Sequence, residues 1–264
     1  MLPSRPWPTR SLPERRCVGR LALPLALLTA WWAATSGGAI RSYQLAGPSD
    51  VLRELGDLAR SGLLARDLGA SIERVACGFA IAFVLALLLG SLVGGSRRAE
   101  VALDPTLQAV RAVPSLAWVP LILLWLGIGE TAKITLVAIG AFFPIYVSLV
   151  AGIRGVDRKL VEVGASLGLS RPALVMRVLV PATLPQLLVG ARIGLTQAWL
   201  FVVAAELLAA TNGLGFLLTD GQQTARTDEI LVAILLFAAC GKVSESLMRA
   251  LERRLVGWTD TVPV

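Results

Sequence analysis

The chain has 264 residues, 55% of them hydrophobic and 16% charged, with a mean hydropathy of +0.71; an ordinary soluble domain is excluded. The net charge of +7 would suit a nucleic-acid binder, but the basic residues cluster beside apolar runs and form no dense basic face. In lipid only helices and closed barrels satisfy the backbone, and these runs lack the alternation of barrel strands, so the chain reads as an all-α polytopic membrane protein.

Residues 1–20, with Pro3, Pro6, Pro8 and Pro13 among several arginines, predict a disordered cytoplasmic tail. Six transmembrane helices of about 20 residues each are predicted, at 21–40, 74–93, 114–128, 132–153, 184–208 and 230–248. The first run resembles a signal peptide in its basic leader and its Ala33-Ala34-Thr35 ending, but Gly37 to Ile40 continue it, which favours a retained helix. Residues 41–65 form a periplasmic segment in which Leu52, Leu55, Leu58, Leu63 and Leu64 predict an amphipathic helix at the lipid interface. The third span is short and disturbed by Pro114 and Pro120; a start near Val101 and a kink would accommodate both. Residues 66–251 then make one transmembrane domain, and 252–264 a cytoplasmic tail.

With the N-terminus inside, the predicted cytoplasmic segments hold 16 Lys and Arg and the outer loops hold 6, which places both termini in the cytoplasm. Gly90 and Gly94, and Gly190 and Gly194, are small-xxx-small pairs expected to pack helices closely. Glu206, about 33 Å along a helix from Leu184, is expected near the outer face, at the level of Arg74. It reads either as a vestibule residue or as an interfacial carboxylate held by water. Arg192, Lys242 and Glu245 read as a structural ion-pair set nearer the inner half or as side chains that snorkel.

Residues 127–133 lack the Gly-Lys adjacency of a phosphate-binding loop, and Gly241-Lys242 is not followed by Ser or Thr, so no ATPase is expected in this chain. No nucleophile elbow or paired carboxylates appear, and the chain has no His; with Cys17, Cys77 and Cys240 lacking ligand spacing, neither enzyme, metal nor cofactor is expected.

Residues 157–182 are a polar break between two apolar spans on the cytoplasmic side. Leu160, Val163 or Gly164, and Leu167 recur at helical spacing, opposite Arg158, Glu162 and Ser166. Gly168 falls where a helix end needs a left-handed residue, Ser170 can cap a second helix with Pro172 in its first turn, and Pro181 is expected to end that helix. The segment reads as a docking helix-turn-helix or as a connector lying on the membrane surface.

Glu162-Val-Gly-x3-Gly168-x9-Val178-Leu-Val-Pro181 resembles the Glu-Ala-Ala-x3-Gly-x9-Ile-x-Leu-Pro loop of ABC importer permeases, with Val163 and Gly164 in place of the alanines. Val113-Pro-Ser-Leu-Ala-Trp-Val-Pro120, Leu124-Trp-Leu-Gly-Ile-Gly-Glu130, Phe143-Pro-Ile-Tyr-Val147 and Leu251-Glu-Arg-Arg254 are similar to the aliphatic sulfonate, taurine and nitrate group, the sulfonate branch most. The resemblance implies a type I importer permease fold in a bacterial cytoplasmic membrane. Two copies would pair with two cytoplasmic ATP-binding subunits and take solute from an extracytoplasmic binding protein, by alternating access. It implies ATPase-coupling contacts at Glu162, Gly164, Leu167, Gly168, Leu169, Ser170 and Pro181. For an anionic solute, Glu206, Arg74, Arg111 and Arg192 are the pathway candidates, the arginines by charge alone. An autonomous channel or ion-driven carrier, and a scaffold without transport, are the rival readings.

Overall fold

In a computed structural model of the protein, residues 15–37 and 44–257 are described. All the described elements are helices. The tail expected at 1–20 lies outside them as far as residue 14. Residues 15–20, expected to be disordered, instead begin α1 (Arg15–Ser36), because the apolar run beyond them gives the helix a template to extend. Trp31 Nε1 donates to the Ala46 carbonyl at 3.1 Å and so ties the end of α1 to the start of α2 (Pro48–Arg60).

The amphipathic helix expected in 41–65 is α2, and it packs on protein. Val51 and Leu58 are buried in a cluster with Leu214, Leu217, Val232 and Ala233, while Leu52 faces outward.

α3 (Leu63–Gly95) runs for 33 residues, about 50 Å at helical rise. The third predicted span is split: α4 (Arg97–Ala112), a 3-10 turn at Ser115–Trp118 and α5 (Val119–Leu126) are bent by 88°. Pro114 forces Val113 into an extended conformation, ψ 126°, so one helix cannot run through.

α6 (Glu130–Arg154) is the central helix, packed between α3 and the last helix of the Glu162 segment, α9 (Val180–Ala209). Missing side chains bring the axes together. A Cβ at Gly90 would lie 2.9 Å from Leu149 and one at Gly94 2.8 Å from Ile153, while Gly190 meets Ser148 at 2.5 Å and Gly194 meets Ile145 at 2.8 Å. Both predicted glycine pairs therefore face α6. A methyl at Gly140 would overlap the Phe201 ring. Gly140→Val is expected to lower stability by about 1–3 kcal/mol through overpacking, read as a fall in the unfolding temperature of detergent-purified protein.

α7 (Arg158–Ser166) and α8 (Arg171–Leu174) lead into a π-helical turn, Val175–Leu179, and then α9. Pro181 does not end the second helix. The Val180 N–H bonds the Val175 carbonyl across a π turn, and this wider turn just before the proline carries the helix past a residue that has no N–H of its own.

Sequence reading missed α10 (Leu214–Gln223), which lies between α9 and α11 (Thr227–Leu255) and packs on both. It stands between the last two expected spans, 184–208 and 230–248. Among the described residues four stretches are long and apolar enough to span a membrane: α3, α6, Val175–Leu208 and α11; the bent α4–α5 pair brings the total to as many as five. The first expected span falls on α1, whose apolar part Ala22–Ser36 covers only about 22 Å of a ~30 Å core. Its expected residues 38–40 lie outside the described residues, as do 258–264 of the C-terminal tail. Leu88, Leu92 and Leu235 are exposed on the long helices, as lipid-facing positions require.

Candidate functional site

The Glu162 segment is a helix-turn-helix held by its own backbone. Asp157 caps α7, accepting from the Lys159 N–H at 2.9 Å. At the other end the Leu169 N–H bonds the Gly164 carbonyl at 3.2 Å and the Gly168 N–H bonds the Ala165 carbonyl at 3.0 Å; this pair of bonds closes a Schellman turn. Gly168 has φ +75°, the left-handed conformation the spacing predicted. Gly164 is buried, facing Leu169, Leu174 and Val178.

Beside charged side chains, this frame presents apolar ones outward. Leu167 is 75% exposed at the tip, with Leu160, Val163 and Met176 also exposed. Glu162, Gly168 and Ser170 are exposed beside them, whereas Leu169 and Pro181 are half-buried. The amphipathic pattern of α7 is thus turned away from the bundle, and only Gly164 packs inward.

At the opposite end of the long helices, sequence reading placed Arg74 and Glu206 at one level, and the structure joins them. Arg74 Nη1 donates to Glu206 Oε1 at 2.6 Å and to the Asn212 carbonyl at 2.9 Å. Its Nε and Nη2 grip both oxygens of Glu130, at 2.6 and 2.8 Å, and Nη2 also bonds Asn212 Oδ1. All five guanidinium N–H groups are used.

Glu206 is equally occupied. It accepts from the Ser71 hydroxyl at 2.8 Å and from the Gly215 N–H at 2.8 Å. Asp67 accepts from the Gly213 N–H at 3.1 Å, and the Leu214 N–H donates to Ser71 Oγ. Gly213 sits at φ +113° with Arg74 and Glu206 against its Cα, where a side chain has no room. The start of α10 is therefore clamped onto α3 and α9. Three cations, Arg66, Arg74 and Lys133, balance Asp67, Glu130 and Glu206, which is what makes burial of the set tolerable. Asp67, Ser71, Glu130 and Asn212 were missed; the i, i+4, i+7 spacing of Asp67, Ser71 and Arg74 was the available signal.

The other two pathway candidates lie elsewhere. Arg192 pairs with Glu252 at 3.4 Å and Lys242 with Glu245 at 3.3 Å; Glu245 takes Arg249 as its second partner, so of the expected set only Lys242 and Glu245 pair with each other. Arg111 lines a cavity of about 440 Å³ between α4, α6 and α9, with Ser115, Ser148 and Gln197.

Residues 82–257 match the family of binding-protein-dependent transport system inner membrane components. The chain belongs to this family. The permease is 39% identical to a putative aliphatic sulfonates transport permease of Bacillus subtilis (strain 168), over 96% of this chain and 92% of that one. It is 37% identical to the taurine transport system permease of Escherichia coli (strain K12), over 93% and 90% of the two chains. Its fold matches that of a methionine ABC transporter solved in inward-facing conformations, at a TM-score of 0.62 and 21% identity over 75% of this chain and 98% of that one.

Gly164 tests the frame of the permease's turn. A Cβ there would meet Val178 at 3.4 Å and Leu169 and Leu174 at 3.5 Å, ordinary contact distances. Gly164→Ala is therefore expected to fit and to stabilise α7 by about 0.4–1 kcal/mol, seen as slower amide exchange across 158–166 with uptake retained.

Proposed function

We propose that the permease is the membrane subunit of an ATP-driven importer that carries an aliphatic sulfonate into the cell, with taurine or nitrate as the next classes. In this reading two copies pair, two cytoplasmic ATP-binding subunits supply the motor, and an extracytoplasmic binding protein delivers the solute. The chain lies in a bacterial cytoplasmic membrane with both termini inside, as the basic-residue asymmetry favours. The observation that carries the reading is the turn at Leu167–Gly168, which holds apolar side chains out from the bundle on a rigid, capped frame. A soluble partner with a matching cleft would cover them.

The connection to the spans supports alternating access. α8, the π turn and α9 form a continuous rod, and α9 meets α6 at Gly190 and Gly194 with almost no intervening side chain. A push on the turn is thus transmitted to packed helices that cannot slide independently. The substrate class is supported by the sulfonate and taurine relatives.

A deletion strain should lose growth on an alkanesulfonate as sole sulfur source and regain it with the plasmid-borne gene. Unimpaired growth on alkanesulfonate, taurine and nitrate would overturn the importer reading. Transport in liposomes containing this chain alone would favour an autonomous carrier.

A further inference from the structure

The cavity beside Arg192 and the cavity beside Arg111 are both lined by cations, and they differ in charge balance. Arg192 and Lys242 share a cavity lined also by Glu245, and each is paired with a carboxylate. Arg111 makes no salt bridge among the described residues; its one side-chain hydrogen bond among them is a long one to Gln108 at 3.5 Å. No acidic residue is among those that line its cavity. The hydroxyls of Ser115 and Ser148 and the Gln197 amide supply hydrogen bonds, while Phe143 and Ile193 supply apolar wall.

This cavity exists because of the broken third span. The bend after Ala112 sets Arg111 at the last turn of α4 and Ser115 at the start of the 3-10 turn. A straight helix would have carried those two residues past the α6–α9 groove.

Resting on the importer reading, we propose that this cavity is a solute subsite within the permease. Arg111 and Ser115 hold the sulfonate headgroup, the apolar wall takes the alkyl chain, and the uncompensated positive charge favours a net anion such as ethanesulfonate over zwitterionic taurine. A guanidinium with hydroxyls beside it suits a three-oxygen anion. In a half-dry cavity the ammonium of taurine faces like charge and finds no carboxylate. The permease thus adds a selection step after the binding protein.

The test uses the complete transporter, permease with its ATPase and binding protein, reconstituted in proteoliposomes, and compares uptake of labelled ethanesulfonate and taurine. Arg111→Gln is expected to raise the KM for ethanesulfonate at least tenfold and to change taurine uptake less, while Arg111→Lys keeps most of the preference. Gln197→Glu, which puts a carboxylate in the wall, is expected to shift the ethanesulfonate-to-taurine ratio at least tenfold toward taurine. Wild-type uptake with an unchanged ratio in both Arg111→Gln and Gln197→Glu overturns the subsite. Equal loss of both solutes in every variant, Arg111→Lys included, also overturns it, since that marks Arg111 as structural. Absence of wild-type uptake of both solutes would instead defeat the sulfonate assignment on which the subsite rests.

Discussion

Replacing Gly168 by aspartate is expected to abolish uptake while leaving the permease in the membrane. Gly168 stands at φ +75°, and a Cβ added there would have nothing within 4 Å, so the substitution meets no clash. Its local cost is the left-handed backbone, about 1–2 kcal/mol for most L-residues and less for Asp or Asn. The bundle is built from α3, α6 and α9, away from this turn, and insertion should be unaffected. The loss arises outside the chain: a charge appears at the centre of an exposed apolar tip beside Leu167, and burying it in a partner costs several kcal/mol.

Gly168→Asn has the same shape and the same backbone tolerance without the charge, and is expected to retain partial uptake. Leu167→Ala removes a side chain whose full burial contributes about 1.5–3 kcal/mol, so attachment of the ATPase should weaken by at least about tenfold. Co-purification of the ATPase and solute uptake are the two readouts. Normal attachment in both Gly168→Asp and Leu167→Ala would remove this turn from the coupling contact.

The second large effect is expected at the opposite end. Arg74→Ala leaves Glu206 buried, 1% exposed, without the guanidinium 2.6 Å away. Breaking a buried pair from one side costs about 3–5 kcal/mol, and the clamp on residues 212–215 goes with it. The variant should be scarce in membranes and unfold at a lower temperature in detergent. Glu206→Gln keeps an acceptor for the Gly215 N–H and should lose less. Because Arg74 has no N–H free, a role in carrying solute predicts a different result: normal abundance and stability with altered uptake alone. That outcome would favour a pathway role for Arg74 and Glu206.

The legible parts of the site were those set by local chemistry. The turn at Gly168 was readable because a helix stop at that spacing needs a left-handed residue. Pro181 was misread because a proline's effect depends on its context. Here a π turn just upstream accommodates it. α10 was missed because its apolar residues are too few to mark a span, and its place is fixed by backbone bonds to Asp67, Ser71 and Glu206, more than 140 residues away at Asp67 and Ser71.

By itself the sequence determined that this is a helical membrane protein, where most of its long apolar stretches run, and that a helix stops at Gly168 within the polar break. Each of these follows from hydropathy or near-neighbour stereochemistry, which act over one or a few turns. Only the tertiary structure decided how the lone charges are used. Arg74 and Arg111 are both arginines beside an apolar run, but one is saturated by five acceptors and the other faces a cavity without a counter-charge. A guanidinium's role depends on which groups from distant helices surround it, and that arrangement is set by helix packing and by the break at Pro114.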